Sequence, residues 1–585
     1  MSFALGGHGA FVSRLRVRGR VADPLLTRLR ASVALSSAAL APPGLSPAAI
    51  LVVRRLEDPL PGRFAVSRPG AVVGAEWESA VRTRMATIAR RALRPARGPI
   101  SDSADAVVFS DESEMLACLA QDWVRGGAVR WWWRALFPNP DLASALVKAW
   151  SERPACMPAA LAGLSGVEQA AFASRIHDQV IRDWLHSILE VRGLGRVRAA
   201  LAPLFALPGA SGSWHSTERN GSASRARDGG SAVATDPPWR AYLSAADASI
   251  LGPLREAFLG VSLELARTSR ALYTEDSVER VQRWIASVSA PRSTDVKPRS
   301  GEEAKRHLGG ALRPQAATDV SPDASPRAPR SHASEPPSLL ADGNRPAMEG
   351  AARIEVQKEP REGNAFDRKY AARIEDAGVA AVPAGVMERE TPACIETRFG
   401  GLFFLINLGL FLELYADFSR PARPGIELPI WDFVALVGQE LLGRQVRDDP
   451  IWSLLSQLAG RAADEDPGAG VKLDARWCMP PEWVRSLPSR RKSVRAARRR
   501  VSAKRWLARM LPYLRHRLEQ ALDLADSADV AKALLHRPAQ VYPTPTRLDV
   551  QFALADLPVE VRFSGLDRDP GWVPAAGRDI RFHFD

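Results

Sequence analysis

Residues 289–394 set the strongest limit on how this chain folds. The stretch is rich in Pro, Ala, Ser, Arg and Glu, and its only aromatic residues are Phe366 and Tyr370. This composition buries too little apolar surface to offset the conformational entropy lost on ordering about 100 residues. We therefore predict that this stretch is a long disordered linker.

The rest of the chain must build its cores on either side of this linker. A length of 585 residues exceeds one core, and a prior of about 150 residues per domain predicts three or four pieces. The hydrophobic fraction of 46% is typical of globular proteins. We expect a mainly α protein with an α/β or α+β amino-terminal region and a small carboxy-terminal antiparallel sheet.

The amino-terminal part alternates strand-like and helix-like patterns. Apolar runs and period-2 alternation predict strands at residues 11–17, 50–53 and 106–109. Helical spacing predicts helices at 25–40, at 77–93 and from near residue 111. We assign residues 1–140 to an α/β or α+β domain.

Trp131, Trp132 and Trp133 close this region. Consecutive helical side chains are about 100° apart, so the three rings cannot share one face. One interpretation is an aromatic platform on which nucleic-acid bases stack. The interpretation we favour is a packed plug at a domain junction, because exposed Trp is costly.

Helical patterns dominate the segments that follow. Residues 141–288 are predicted helical, notably 167–191, with a flexible loop at 211–236 rich in Ser, Gly, Arg and Asp. Residues 395–537 form a second helical domain after the linker at 289–394. Residues 538–585 are predicted to form a small β element packed on it, with strands at 548–554, 559–563 and 580–584.

The net charge of +13 is concentrated in one segment. Residues 489–517 hold twelve Lys or Arg and no Asp or Glu. Such a block indicates nucleic acid or another anionic surface as a partner, and the alternative is a solvated helix face that pairs inside the fold. The candidate contact residues are Arg490, Arg491, Lys492, Arg495, Arg498, Arg499, Arg500, Lys504 and Arg505.

The sequence shows no recognisable catalytic, cofactor or metal motif. Sequence-local signatures of nucleotide binding, zinc hydrolysis and serine esterases are missing, so we expect no enzyme and no cofactor. The four cysteines lie far apart and predict reduced, buried thiols. His177 and His186 lack metal-ligand spacing, and Asp567 and Asp569 fit turn chemistry better than a metal pair.

The longest apolar run is residues 399–412. It is too short to span a bilayer, which needs about 20 residues, so we predict a buried core helix, with an interfacial or inserting segment as the alternative. Asn407 within it requires a buried hydrogen-bond partner. Since the first residues lack a secretory pattern, we expect a cytoplasmic protein without a transmembrane span.

Two segments carry a resemblance to a known group of proteins. Residues 398–408, which include Phe399, Gly400, Gly401 and Asn407, form the first segment. Residues 565–574, which include Asp569, Pro570, Gly571 and Trp572, form the second. Both resemble proteins encoded with extracellular contractile injection systems, which are phage-tail-like particles, and the first is similar to the signature helix of their tape measure family.

The resemblance covers about the carboxy-terminal third of the chain. It implies a cytoplasmic assembly or length-control component that works through contacts with protein components of the particle. A literal ruler needs a long continuous helix rising about 1.5 Å per residue. Because the chain has 45 prolines, we favour an assembly factor over a measuring rod.

Overall fold

The computed structural model describes isolated positions among residues 3–42, and then residues 44–61, 75–126, 130–137, 141–206, 236–243, 245–268, 271–289, 394–415, 426, 428–473, 501–524 and 530–585. Apart from their end positions, the predicted loop at 211–236 and the predicted linker at 289–394 lie outside the described residues. The predicted fold class, mainly α with an α+β amino-terminal region and a small carboxy-terminal sheet, is confirmed.

The amino-terminal part is α+β because its strands pair antiparallel. The elements are β1 Phe3–Ala4, β2 Phe11–Val12, β3 Ile50–Val53, α1 Ala75–Arg91, β4 Ala106–Phe109 and α2 Glu112–Val124. β3 pairs antiparallel with β4. α2 begins after Asp111, whose side chain accepts a hydrogen bond from the Glu114 amide at 2.9 Å. These elements confirm the strands and helices predicted from residue 50 onward. Most of the strand predicted at 11–17 and most of the helix predicted at 25–40 lie outside the described residues.

A helical array follows the amino-terminal strands. Its helices are α3 Trp131–Leu136, α4 Leu142–Ser151, α5 Met157–Ala162, α6 Gly166–Arg175, α7 Asp178–Val191, α8 Gly195–Ala206, α9 Ala245–Arg267 and α10 Glu275–Ser289. The helical stretch predicted at 167–191 is two helices, because Ile176 and His177 are extended. His177 caps α7 by accepting from the Gln179 amide at 3.2 Å, which is a structural role.

Aromatic rings form the centre of this array. Trp150 lies between Phe172, at 4.6 Å between ring centroids, and Trp184, at 5.4 Å. Phe258 on α9 extends the stack at 6.0 Å from Trp184. Four separate helices therefore meet through large rings that exclude water.

The three successive tryptophans are mostly packed. Trp132 and Trp133 are 2% and 1% exposed. Trp133 stacks on Phe109 of β4 at 5.5 Å and donates its Nε1 hydrogen to Asp122 Oδ2 at 2.7 Å. Two of the three rings are therefore packed inside the amino-terminal region, as the plug interpretation requires, and do not form an exposed stacking platform.

The apolar run is the centre of the carboxy-terminal core. The elements around it are β5 Ile395–Thr397, α11 Phe404–Phe411, α12 Ile430–Leu442, α13 Pro450–Leu458, β6 Lys472–Leu473, β7 Val501–Ser502 and α14 Ala503–Ala521. Phe404 has no exposed surface, stacks on Phe552 at 5.0 Å between ring centroids and meets Phe582 edge to face at 5.2 Å. The prediction of a buried core helix is confirmed. Among the described residues, no helix combines the length and apolarity needed to cross a membrane.

The carboxy-terminal sheet has five strands in the order β10-β11-β9-β8-β5. The later elements are β8 Ala539–Pro543, β9 Arg547–Phe552, α15 Val559–Ser564, β10 Gly571–Val573 and β11 Arg578–Phe584. Its pairs are antiparallel except β9 and β11, which run parallel. The strand predicted at 559–563 is wrong, because these residues form helix α15 in the crossover that a parallel pair requires.

The described residues on both sides of the predicted linker belong to one compact unit. Thr546, just before β9, donates a hydrogen bond to Asp111 Oδ2 at 2.9 Å. The amino-terminal helices and the carboxy-terminal sheet therefore share a polar contact. We call the region around this contact the junction, and it includes Arg192, Trp572 and Arg578.

Candidate functional site

Asn407 joins the segments 398–408 and 565–574. Its Nδ2 donates to the carbonyl oxygens of Leu566, at 2.8 Å, and Arg568, at 2.7 Å. α11 places the amide between the buried residues Ile406 and Leu408. The predicted need for a hydrogen-bond partner is confirmed, and that partner is the backbone of the second segment.

Gly400 and Gly401 allow a close backbone approach in the first segment. The Gly400 amide donates to Arg537 O at 2.8 Å. A Cβ on Gly401 would lie 1.9 Å from Leu534 O, so no side chain fits there. Phe399 beside them has no exposed surface. The segment is thus a packing element.

The second segment connects α15 to β10. Gly571 has a φ of +68°, which glycine adopts without strain. Asp569 Oδ1 accepts a hydrogen bond from the Phe582 amide at 2.6 Å. Pro570 lies between Asp569 and Gly571. The turn role expected of Asp569 is therefore corrected, because its carboxylate accepts from an amide of strand β11 and holds that strand.

Trp572 ties this segment to the amino-terminal helices. Its Nε1 donates to Val191 O, at the end of α7, at 3.0 Å. The guanidinium carbon of Arg192 lies 4.5 Å from the centroid of the Trp572 ring, within the range of a cation–π contact. Trp572, which sequence analysis singled out only through the second segment, is thus part of the junction.

Arg192 is a buried cation at the junction and is only 3% exposed. Its Nη2 donates to Ala155 O at 3.3 Å, and its carbonyl oxygen accepts from the Tyr273 hydroxyl. Burial lowers the pKa of Arg192 to about 10. The side chain therefore stays charged at neutral pH.

Arg578 brings a second guanidinium to the same junction. Burial lowers its pKa to about 10, Asp111 opposes this shift, and the positive charge of Arg192 adds to it. Asp111 is 2% exposed and already accepts from Ser113 Oγ at 2.6 Å and from Thr546. Sequence analysis missed both arginines, because each one alone is typical of a surface residue.

Asp549 lies on the sheet face opposite the core, where sequence analysis nominated nothing. It has no exposed surface, and its Oδ1 accepts from Arg547 Nη2 at 2.7 Å. His583 Nε2 lies 2.7 Å from the same oxygen. Alternating polar positions in β9 and β11 were the available signal, since alternate residues share a face.

An open cleft of about 670 Å³ lies at the β5 edge of the sheet. Asp449 lines it, but the carboxylate already accepts from Thr397 Oγ1 at 2.7 Å and from the Arg398 amide at 3.0 Å. Asp585 lines it as well and accepts from Gln551. These acidic groups are used in holding the fold.

Most of the predicted anion-contact residues lie outside the described residues. This applies to Arg490, Arg491, Lys492, Arg495, Arg498, Arg499 and Arg500. The backbone of Lys504 and Arg505 lies in α14. Further along α14, Arg515 Nη2 donates to Glu440 O at 2.9 Å, and Arg517 lies over the Phe411 ring at 5.6 Å.

The cysteines differ in their surroundings. Cys118 and Cys156 are buried free thiols, as predicted, and burial raises the pKa of Cys156 to about 12. Cys394 is exposed, contrary to the prediction, because it precedes the edge strand β5. Cys478 lies outside the described residues.

Within the described part of the chain, no group of three or more His, Cys, Asp or Glu side chains is placed to hold a metal ion. No protein-family model, curated protein or solved structure matches the chain. The candidate site is the segment 565–574, which Asn407 and Asp569 hold in the carboxy-terminal core, together with its junction residues Trp572, Arg192 and Arg578.

Proposed function

We propose that the chain is a non-catalytic assembly or length-control component of a contractile injection particle, acting in the cytoplasm through contacts with protein components of that particle. One observation carries the proposal. The segments 398–408 and 565–574, which resemble that family, contact each other through Asn407. Two motifs that hold one another in place are expected of one shared fold element.

An assembly role fits the helices better than a measuring role. α14, with 19 residues, is the longest helix among the described residues whose backbone is helical throughout, because Gly252 breaks the longer α9. It spans about 28 Å at 1.5 Å per residue. Its apolar face, which includes Leu507, Leu514 and Leu518, is buried in the carboxy-terminal core. A helix whose apolar face is packed into a core in this way does not act as a free measuring rod.

The surface beside the second segment offers apolar contact residues. Val559 and Phe563 on α15 are 58% and 87% exposed. They lie four positions apart, on one face of the helix. Exposed apolar side chains that are grouped on one element are typical of protein contact sites, so we place a particle-component contact at α15.

The proposal is tested in the source cell. We expect sheath, tube and baseplate genes beside this gene, and a deletion strain with absent or altered particles. Wild-type protein should restore the particles. The pair Val559→Ser and Phe563→Ser should fold normally but fail to restore them, whereas Val288→Ser, at an exposed position on α10, should restore them. Normal particles in the deletion strain, with no particle genes nearby, would refute the proposal.

The second candidate function is binding of nucleic acid or an anionic surface by residues 489–517. Its support is the block of twelve basic residues. Neutralising Arg490, Arg491 and Lys492 in the full chain should then weaken duplex DNA binding. The slope of log affinity against log salt concentration should become shallower by about one for each phosphate that the variant no longer neutralises. Absence of DNA binding by the wild type at low salt would exclude this function.

A further inference from the structure

The junction contains more buried positive charge than its described residues neutralise. Arg192 Nε and Nη1 and Arg578 Nη1 are enclosed and have no hydrogen-bond partner among the described residues. Most buried polar groups in proteins are paired, so an unpaired one indicates a missing partner such as water or an ion. The two guanidinium groups are close enough for the charge of Arg192 to act on Arg578.

The neighbouring side chains that act on the two guanidinium groups offset one of their two charges. Asp111 is the carboxylate whose charge acts on Arg578, and its oxygens accept hydrogen bonds from the neutral donors of Ser113, Glu114 and Thr546. Cys156, with a pKa raised to about 12, is uncharged at neutral pH. Arginine cannot lose its proton to escape burial, so Arg192, which is 3% exposed, and the enclosed Nη1 of the partly exposed Arg578 favour a counter-ion.

We propose that a compact oxyanion of the phosphate type binds between Arg192 and Arg578 and ties α7 to β11. Planar guanidinium groups match the spacing of oxyanion oxygens and bind them with two hydrogen bonds each. The Trp572 ring covers one side of the Arg192 guanidinium group, whose carbon lies 4.5 Å from the ring centroid. This inference does not depend on the proposed assembly function.

The test measures thermal unfolding of the full chain during titration with inorganic phosphate, with chloride used to keep the ionic strength constant. A ligand that binds only the folded state raises Tm in a saturable manner. The variants are Arg192→Met and Arg578→Met. The matched control is Arg196→Met, because the Arg196 side chain is 65% exposed and pairs with Glu275 on the surface.

We expect phosphate to raise the Tm of the wild type and the control, and the apparent affinity to fall by about tenfold or more in each junction variant. AMP should have no comparable effect, because its nucleoside does not fit an enclosed site. No phosphate effect beyond chloride, an effect retained in Arg578→Met, or equal stabilisation by AMP would each overturn the proposal.

A variant that fails to fold is replaced by its lysine counterpart, Arg192→Lys or Arg578→Lys. Lysine keeps the charge but loses the planar fork, so folding should be retained while phosphate affinity falls. Unchanged affinity in a lysine variant would overturn the bidentate geometry. In addition, unfolding the purified wild type should release phosphate, measured by ion chromatography, and the Arg578→Lys protein should release less.

Discussion

Thr546 donates a hydrogen bond to Asp111 at 2.9 Å across 435 positions of sequence. The same carboxylate caps α2 through the Glu114 amide. One side chain therefore both starts an amino-terminal helix and holds the carboxy-terminal sheet.

Thr546→Val should destabilise the protein by about 1.5 to 3 kcal/mol, because it leaves a buried carboxylate oxygen without its partner. Urea denaturation measures the change. Thr83→Val is the control, since the Thr83 hydroxyl donates only to Ser79 O on an exposed face of α1. Equal effects of the two substitutions would show that the junction bond adds no stability.

Leu405→Ala should cost about 2 to 5 kcal/mol through a cavity in the carboxy-terminal core. Leu405 has no exposed surface. Phe411→Ala serves as control, because Phe411 is 69% exposed at the end of the same helix and should change stability little. Melting and liposome flotation are measured on the same samples. Unchanged melting of Leu405→Ala together with lost flotation would favour the inserting-segment alternative.

Gly401→Ala should destabilise the fold by about 1 to 3 kcal/mol or more, because the new Cβ would lie 1.9 Å from Leu534 O and the backbone must move. Gly195→Ala is the matched control for this substitution. A Cβ at Gly195, in α8, meets nothing within 4 Å, so this change should be neutral or stabilising. Chemical denaturation of both variants distinguishes steric cost from loss of glycine flexibility.

The lowered pKa of Glu168 predicts that part of the stability of the fold is lost in acid. Burial raises its pKa, but hydrogen bonds from Ser165 and Gln121 and the charge of Arg125 outweigh this, and the net pKa lies below 4.5. A lowered carboxyl pKa stabilises the fold above the unfolded-state pKa and loses that effect as pH falls through the folded value. The stability difference between wild type and Glu168→Gln should therefore shrink from about pH 7 to about pH 3. A constant difference in urea denaturation would contradict the assignment.

Local signals in the sequence predicted local structure well. Asp111 followed by Glu114 marks a helix start, and α2 begins there. The solid apolar run from Phe399 predicted burial, and Asn407 within it predicted a polar partner. In each case the deciding interactions lie within a few residues or follow from burial alone.

Contacts between distant positions could not be predicted in this way. The alternation at 559–563 resembles a strand, but Gly565, with a φ of +70°, ends a short helix there. Trp572 and Arg192 showed no sequence signal of their contact, because 380 positions separate them and each has an ordinary local context. The candidate site was therefore half predicted: its motif residues were found, and its arginines were not.

The rings that cover Phe404 are Phe552 of β9 and Phe582 of β11, which lie about 150 and 180 positions later in the chain. Proteins whose contacts are this remote in sequence fold slowly. Until those strands arrive, a run of adjacent apolar side chains stays accessible to other molecules, and intermediates of this kind aggregate. Refolding yield should therefore depend strongly on protein concentration, and a chaperone that shields α11 would raise it.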